Sequence, residues 1–326
     1  GKICGMAIPL GITLIVGVRF HSKSTLLKAI QDAVYPHVIE DGRERIATQP
    51  TAVKIRAEDG RSIQPINVSG FMDNLPLVPS TANFSTVSAS GSTSQAVNIL
   101  EAIEAGSSLL LMDEDTCATN FMIRDERMQA LITSTQEPIT PLVDRINELQ
   151  KNFAVSTLLV MGGSGDYFES ADQVIAMDSF QPRLVTAKAK QIVRENPGSR
   201  KTEAQSPLPK VQMRTRNLSG LDFSRGKKPC VIQTQKIISL ILGRTEIDVR
   251  YIEHLIEPGQ LELCGWILKQ LKDMQENDSY VSNSTAIKCI LKNVETGELE
   301  SIAPFNNGLL ALPRFQDVMA VLNRLR

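Results

Sequence analysis

Residues 88–120 read SASGSTSQAVNILEAIEAGSSLLLMDEDTCATN, and the fold turns on how this stretch is read. A small polar loop at 90–95 leads into an apolar-periodic segment, which predicts a helix over 96–105. A Gly-Ser break at 106–108 is followed by the apolar run 109–112, ending on Asp113-Glu114. A short apolar run bounded by turn residues predicts a fully buried, parallel strand. Carboxylates at the carboxyl end of such a strand stand at the rim where α/β sheets bind ligands. There Asp113 suits a Mg²⁺ ligand and Glu114 suits a residue that polarises an attacking water. An acidic loop after an ordinary strand would carry the same letters, so a second motif has to decide.

That motif lies near the start of the chain. The β-branched run 12–16 predicts a strand, Gly17-Val18-Arg19-Phe20-His21-Ser22-Lys23-Ser24-Thr25 follows, and an apolar-periodic helix is predicted over 26–34. Strand, loop and helix form the context in which G-x-x-x-x-G-K-[ST] cradles phosphate. Lys23 would reach the β- and γ-phosphates, Ser24 would hold Mg²⁺, and the helix N-terminus would favour the anion. Gly17, Ser22 and Thr25 complete the nucleotide-binding set. Ser22 occupies the place of the glycine before the lysine, and Val18 and Arg19 also stand where glycines are usual. Glycine lets backbone N–H groups approach phosphate and accepts positive φ, so these three changes predict weaker nucleotide binding.

With both motifs in view, the stretch 88–120 resembles the ABC-type ATPases, in which a signature loop, a helix, the Walker B strand and a D-loop follow in that order. Ser90-Gly91-Ser92 looks like the signature core with Gln95 close behind, 109–114 looks like Walker B with its catalytic glutamate, and 115–120 falls on the D-loop. The wording ASGSTSQA…LLMDEDTCATNFMIRDERMQAL is most similar to the predicted ATPases of the ABC class. The resemblance extends over nearly the whole chain, through INVSGFMDNLP, MGGSGDYF and the closing residues. It implies an α/β P-loop fold of the ABC ATPase type with a mostly helical C-terminal extension. ATP and Mg²⁺ would be the cofactors, and two copies would pair head to tail as a homodimer. Lys23, Ser24, Asp113 and Glu114 of one copy would then face Ser90, Gly91 and Ser92 of the other.

Departures from the pattern are specific. No glutamine falls at the Q-loop place, where Asn67 and Asn74 stand, and no histidine falls at the switch place near Gly162 and Gly163. Ser164 or Asp166 is the stand-in that the family wording implies for sensing the γ-phosphate; a plain strand-to-helix turn fits the same glycines. Family members carry a domain upstream, so the expectation is a truncated or degenerate copy whose adenine-stacking residue lies outside this sequence.

The bulk properties frame this reading. The chain has 326 residues, 42% hydrophobic and 22% charged, which allows one large or two ordinary domains with a sizeable core. No apolar run approaches membrane-span length. Five scattered cysteines without metal-ligand spacing point to free thiols in a reducing, cytoplasmic setting. Net charge is −1, yet residues 183–250 carry about fifteen Lys and Arg against about five Asp and Glu. Arg214, Arg216, Arg225, Lys227 and Lys228 are prominent there, and they predict a surface for RNA or DNA phosphates. A solvated linker would account for the same charge.

The expected organisation is a nucleotide core over 1–180, a basic linker and strand region over 181–245, and a helical subdomain over 246–326. Further local expectations are a hairpin over 51–64, a mobile linker or loop over 196–210, a strand over 211–216 and an amphipathic helix over 247–255. Two functions compete: an ATP-hydrolysing soluble enzyme, or an ABC-fold binding or assembly module that has lost nucleotide chemistry.

Overall fold

A computed structural model of the chain describes residues 4–17, 22–73, 75, 80–277, 282–297, 299, 302–303 and 308–326. In chain order the elements begin with β1 (Ile12–Gly17), α1 (Lys23–Asp32), β2 (Val53–Ile55), β3 (Ile63–Ile66) and β4 (Phe84–Thr86). Next come α2 (Gly91–Glu104), β5 (Leu109–Asp113), α3 (Thr119–Met122), α4 (Glu126–Leu131), α5 (Leu142–Phe153) and β6 (Ser156–Val160). The strands β7 (Gln173–Asp178) and β8 (Gln181–Leu184) precede α6 (Thr186–Glu195).

Six of these strands form one sheet in the order β2-β5-β6-β1-β7-β8. All its pairs are parallel except the closing antiparallel hairpin of β7 and β8. The period-2 alternation of strand side chains sorts the apolar runs onto two faces. Leu14, Leu110, Met112 and Leu159 pack with α2 and α5, whereas Ile15, Leu111, Leu158 and Val160 pack with Leu27 and Ile30 of α1. Both faces are covered, which is why β5 and β6 read as continuous apolar runs rather than alternating ones.

The helix α2 starts at Gly91, five residues before the predicted 96, because Ser90 caps it by accepting the Thr93 N–H. It is buried on all sides, Glu101 and Glu104 included. The predicted hairpin over 51–64 does not form. β2 pairs with β5, and β3 pairs with β4 in a separate two-stranded sheet. The turn at Asp59-Gly60 is instead held by the approach to α2: Gly60 N–H donates to Ala89 O, and Glu58 N–H donates to Ser94 Oγ.

The segment 196–210 is the loop of the two alternatives expected, and it is packed as a strap rather than forming a linker. Arg200 forks onto Asp144 at 2.6 and 2.8 Å, Glu203 N–H donates to the same carboxylate, and Leu208 N–H donates to Glu148. Residues 211–216 form no strand, since the N–H groups of Arg214 and Arg216 donate to the side chains of Glu104 and Asn283 instead of a neighbouring strand.

The C-terminal part has its own apolar core. It carries a three-stranded antiparallel sheet, β9 (Ile232–Gln235), β10 (Ser239–Leu242) and β11 (Thr245–Asp248), besides the helices α7 (Pro258–Glu276), α8 (Asn283–Glu295) and α9 (Phe315–Arg324). The helix expected over 247–255 is replaced by the end of β11 and a run of turns. Ile247 and Val249 are both buried with Asp248 exposed between them, a strand alternation that the later Ile252 and Leu255 had disguised as helical spacing. Among the described residues no helix is long and apolar enough to cross a membrane.

Candidate nucleotide site

A cleft of 960 Å³ opens at the carboxyl edge of the large sheet, lined by Gly17, Ser22, Lys23, Ser24, Thr25, Asp113 and Glu114 together with the D-loop and the Gly162-Gly163 turn. β1 delivers Gly17 to its floor. A Cβ there would stand 2.5 Å from Met177 O, and φ is +139°, so this position needs glycine. The loop residues Val18, Arg19, Phe20 and His21 lie outside the described residues, as does Asn74. On the far side of the loop Ser22 has φ +67° and accepts the Leu26 N–H with its carbonyl. It thus holds the left-handed conformation that a glycine before the lysine would take without cost, a strain of about 1–3 kcal/mol. Lys23 Nζ donates to Gly17 O at 2.8 Å, bridging the two ends of the loop. Ser24 and Thr25 are exposed in the first turn of α1, where unpaired N–H groups and the helix dipole favour an anion.

β5 delivers the acidic pair. Asp113 is buried and its Oδ1 accepts the Asp115 N–H. Glu114 turns toward the end of β6, where its Oε2 accepts the N–H groups of Gly162 and Gly163 at 2.5 and 3.0 Å. The glycine turn that sequence reading left between a switch position and a plain turn therefore aims the second carboxylate. Gly163 is close enough that a Cβ would meet Glu114 Oε1 at 2.8 Å. Ser164 does not line the cleft; its hydroxyl donates to Asp166 Oδ2 at 2.6 Å. Asn67 likewise faces a local turn, accepting from Ser69.

The signature residues are in the same chain but turned away from this cleft. Ser90 caps α2, Gly91 opens it, and Ser92 Oγ donates to Asn120 Oδ1 at 2.7 Å. Gln95, whose role was not legible from spacing, accepts the Ala118 N–H at 2.8 Å. Together Ser92 and Gln95 fasten the D-loop to α2. Cys117 sits between them and the cleft, and burial pushes its thiol up to about 12, so it stays protonated. Lys54 of β2 is a further group not foreseen: burial lowers its pKa, while the carboxylates of Glu253 and Asp113 act to raise it.

The basic stretch divides in two. Arg214 and Arg216 do not form a phosphate-facing surface. Arg214 donates to Glu104 at 2.5 and 2.8 Å and to Glu101 at 3.3 Å, and Arg216 donates to Asn323 O. Burial brings Arg216 down to about 10. Arg214 pairs with the α2 carboxylates, where Arg61 also pairs with Glu101, and it donates to Asn323 of α9 as well, while Arg324 of α9 pairs with Glu58. Arg225, Lys227 and Lys228 are exposed on a turn closed by backbone hydrogen bonds between Arg225 and Lys228.

The donor set fits a nucleotide with a divalent cation. Among the described residues no group of three or more His, Cys, Asp or Glu could hold a metal alone. One hydroxyl, Ser24, and one carboxylate, Asp113, beside an anion-binding helix end match the way Mg²⁺ is shared between protein and phosphate oxygens.

Residues 1–214 match the family profile of the ABC_ATPase P-loop domain, and residues 231–326 match that of the MRB1590 C-terminal domain. The uncharacterized protein MJ1628 of Methanocaldococcus jannaschii is 26% identical over 176 residues, which are 53% of this chain and 38% of that protein. The chain thus spans well under half of that relative's length. Among solved structures, cbiO1 from Clostridium perfringens, part of the ABC transporter complex cbiONQ, matches with a TM-score of 0.38 and 14% identity. That match covers 58% of this chain and 84% of the other.

Proposed function

The chain belongs to the ABC_ATPase family of P-loop domains, and on that premise we propose that it binds and hydrolyses ATP with Mg²⁺, working as a head-to-tail homodimer. The observation that carries the proposal is the pinned pair at the end of β5: Asp113 beside the cleft, and Glu114 held by two backbone N–H groups from the end of β6.

Lys23 and the α1 N-terminus receive the β- and γ-phosphates, and the Lys23 bridge to Gly17 keeps both loop ends at a fixed separation. Ser24 and Asp113 would hold Mg²⁺, which when bound neutralises charge on the phosphate oxygens. Glu114 orients the attacking water and accepts its proton as the water oxygen bonds to the γ-phosphorus and the bond from that phosphorus to the β,γ-bridging oxygen breaks, ADP leaving with the electron pair. Its aim depends on the Gly162 and Gly163 N–H groups, because a side chain with three rotatable bonds would otherwise sample many directions. Ser90, Gly91 and Ser92 complete the partner's site rather than their own. Their turning away from the cleft of their own chain supports this, as does the tie from Ser92 and Gln95 to the D-loop, which would place both elements at one interface.

Glu114→Gln tests the reading. The amide oxygen can still accept from Gly162 and Gly163, so the cleft keeps its shape while the base is lost. Turnover is expected to fall by about 10²–10⁴-fold, and an ATP-dependent dimer is expected to accumulate in sedimentation. Unchanged hydrolysis would remove Glu114 from the mechanism.

A second reading concerns the partner. Arg225, Lys227 and Lys228 project from one exposed turn, and this supports phosphate contacts to RNA or DNA, without base stacking as the main contribution. The competing non-enzymatic reading, an ABC-fold module without nucleotide chemistry, draws its support from the left-handed Ser22.

A further inference from the structure

The turn after β6 and the D-loop segment after β5 are joined twice. At one end the Gly162 and Gly163 N–H groups donate to Glu114. At the other the Tyr167 hydroxyl donates to the Met122 carbonyl oxygen at 2.6 Å, across 45 positions of the chain. Residues 114–122 and 162–167 thus run between two shared fastenings. Met122 is the last residue of α3, a four-residue helix whose closing carbonyls have no intrahelical partners. Tyr167 supplies the donor for one of them. Its side chain is buried in the same apolar cluster as Phe71 and Phe121, and burial pushes the hydroxyl well above the ordinary tyrosine range, so it stays a donor.

Within the turn the hydrogen bonds are local. Ser164 Oγ donates to Asp166 Oδ2, Asp166 N–H donates to Ser164 Oγ, and Phe168 N–H donates to Gly165 O. These bonds give the turn its shape, but not its seat on the molecule. The seat comes on one side from Met161 N–H, which donates to Ile15 O of β1, and on the other from the Tyr167 hydroxyl. Gly162 and Gly163 lie between those two anchors. The D-loop is fixed in turn by α2, where Gln95 accepts the Ala118 N–H and donates to Met122 Sδ at 3.3 Å. Met122 therefore rests on the signature helix, and Tyr167 rests on Met122. A buried phenol takes a hydrogen-bond partner in any core. Here the partner belongs to the segment that begins with Glu114, so the same bond sets the two glycines in register with the carboxylate they aim.

We propose that Tyr167 is a positioning residue for hydrolysis: by holding the Met122 carbonyl it seats the Gly162-Gly163 turn, and it acts on the rate through Glu114. The inference rests on the nucleotide reading above and deepens it. Neither Tyr167 nor Met122 lines the cleft, so loss of the hydroxyl takes nothing from the contacts that would hold phosphate or cation. The role also gives the stretch 161–168, MGGSGDYF, a function apart from that of Ser164 and Asp166.

Single-turnover hydrolysis of Mg²⁺-ATP by the full chain tests this in the wild type, Tyr167→Phe, Glu114→Gln and the double variant, with equilibrium ATP binding measured alongside. Phenylalanine keeps the ring in the core and removes only the donor. Loss of one fastening shifts the turn by a fraction of an ångström, so Tyr167→Phe is expected to hydrolyse bound ATP about five- to tenfold more slowly, with ATP affinity within about twofold of wild type. In the Glu114→Gln background the same change is expected to alter the residual rate by less than about twofold, because residues that act as a unit are not additive. An unchanged rate in Tyr167→Phe, or an equal loss in both backgrounds, would overturn the proposal and leave the hydroxyl a structural cap of α3. Single turnovers count only protein that holds nucleotide, so partial unfolding does not imitate the effect; a Tyr167→Phe chain that binds no ATP would overturn the proposal as well. Wild type without ATP binding, or Glu114→Gln with undiminished turnover, would instead refute the nucleotide reading itself, and the role of Tyr167 with it.

Discussion

Replacing Gly163 by alanine should damage turnover while leaving the fold and nucleotide affinity nearly untouched, and Gly162→Ala provides the matched control. A Cβ on Gly163 would lie 2.8 Å from Glu114 Oε1, whereas one on Gly162 would lie 3.6 Å from Oε2, an ordinary contact. Neither glycine has a left-handed φ, so alanine adds no backbone strain at either position. To regain van der Waals distance at Gly163, the carboxylate must retreat by about half an ångström. Glu114 is the end of a flexible chain at an exposed turn, so the retreat costs little stability, within about 0.5 kcal/mol. It does swing Oε1 about the anchored Oε2, and the direction in which Glu114 presents its lone pairs to water changes. A misplacement of about 1 Å costs on the order of 10²-fold in rate, so a displacement half as large is expected to cost about tenfold in kcat. Steady-state phosphate release, with thermal unfolding as the folding control, reads both variants. Equal activities for Gly163→Ala and Gly162→Ala would refute the idea that the end of β6 aims Glu114. A fall in both with a collapse of the unfolding midpoint would refute the premise that the turn tolerates a methyl group.

Two further expectations follow from buried and exposed charge. His254 is buried, its Nε2 accepts the Lys54 N–H at 3.0 Å, and burial lowers its pKa to about 3. Its folded value lies below the unfolded value, so its neutral-form stability is fully present above about pH 6.5 and declines as pH falls toward 3. Between pH 7 and pH 5 the loss is about 2 kcal/mol. Chemical denaturation should show this loss, and it should be absent in His254→Gln; an identical pH slope in the two proteins would remove His254 as its source. For the exposed turn, the triple substitution of Arg225, Lys227 and Lys228 by alanine should weaken RNA or DNA binding uniformly across sequences. It should also reduce the log–log salt slope by about 2–3, and an unchanged slope in a filter or polarisation assay would move any nucleic-acid surface elsewhere.

The parts of the site that were legible in sequence are those whose chemistry is local. Lys23 and Ser24 follow a strand and open a helix, and Asp113-Glu114 closes an apolar run, so the local pattern put each at a strand end and the family resemblance put them at one site. What was not legible depends on residues far apart in the chain. Arg214 and Arg216 read as a nucleic-acid surface because the partners that take them up, Glu101 and Glu104 for Arg214 and the Asn323 carbonyl for Arg216, lie about 110 positions away in the chain. Local charge counting cannot register that compensation. The hairpin over 51–64 failed for a related reason: Asp59-Gly60 does make a turn, but the N–H and carbonyl groups around it bond to the approach to α2, leaving β2 for the large sheet. Residues 247–255 satisfied both a helical and an extended period, and pairing of Ile247 with Leu240 settled it as strand. The strap over 196–210 is polar and proline-containing, which reads as a loop in any context; its anchorage lies in Asp144 and Glu148 of α5. The tie of Ser92 and Gln95 to the D-loop spans 28 and 23 positions and had no signature in spacing.

The central claim is that the cleft between Lys23 and Glu114 binds Mg²⁺-ATP. It is tested most directly by equilibrium titration of a fluorescent ATP analogue into the wild type and Lys23→Ala, each with Mg²⁺ and with chelator. The account predicts saturable, Mg²⁺-dependent binding by the wild type, weakened by about tenfold or more in Lys23→Ala, since a charge-assisted contact to phosphate contributes about 1.5–3 kcal/mol. No saturable binding by the wild type, or equal binding by both proteins, would contradict it and leave an ABC-fold module without nucleotide chemistry as the reading that stands.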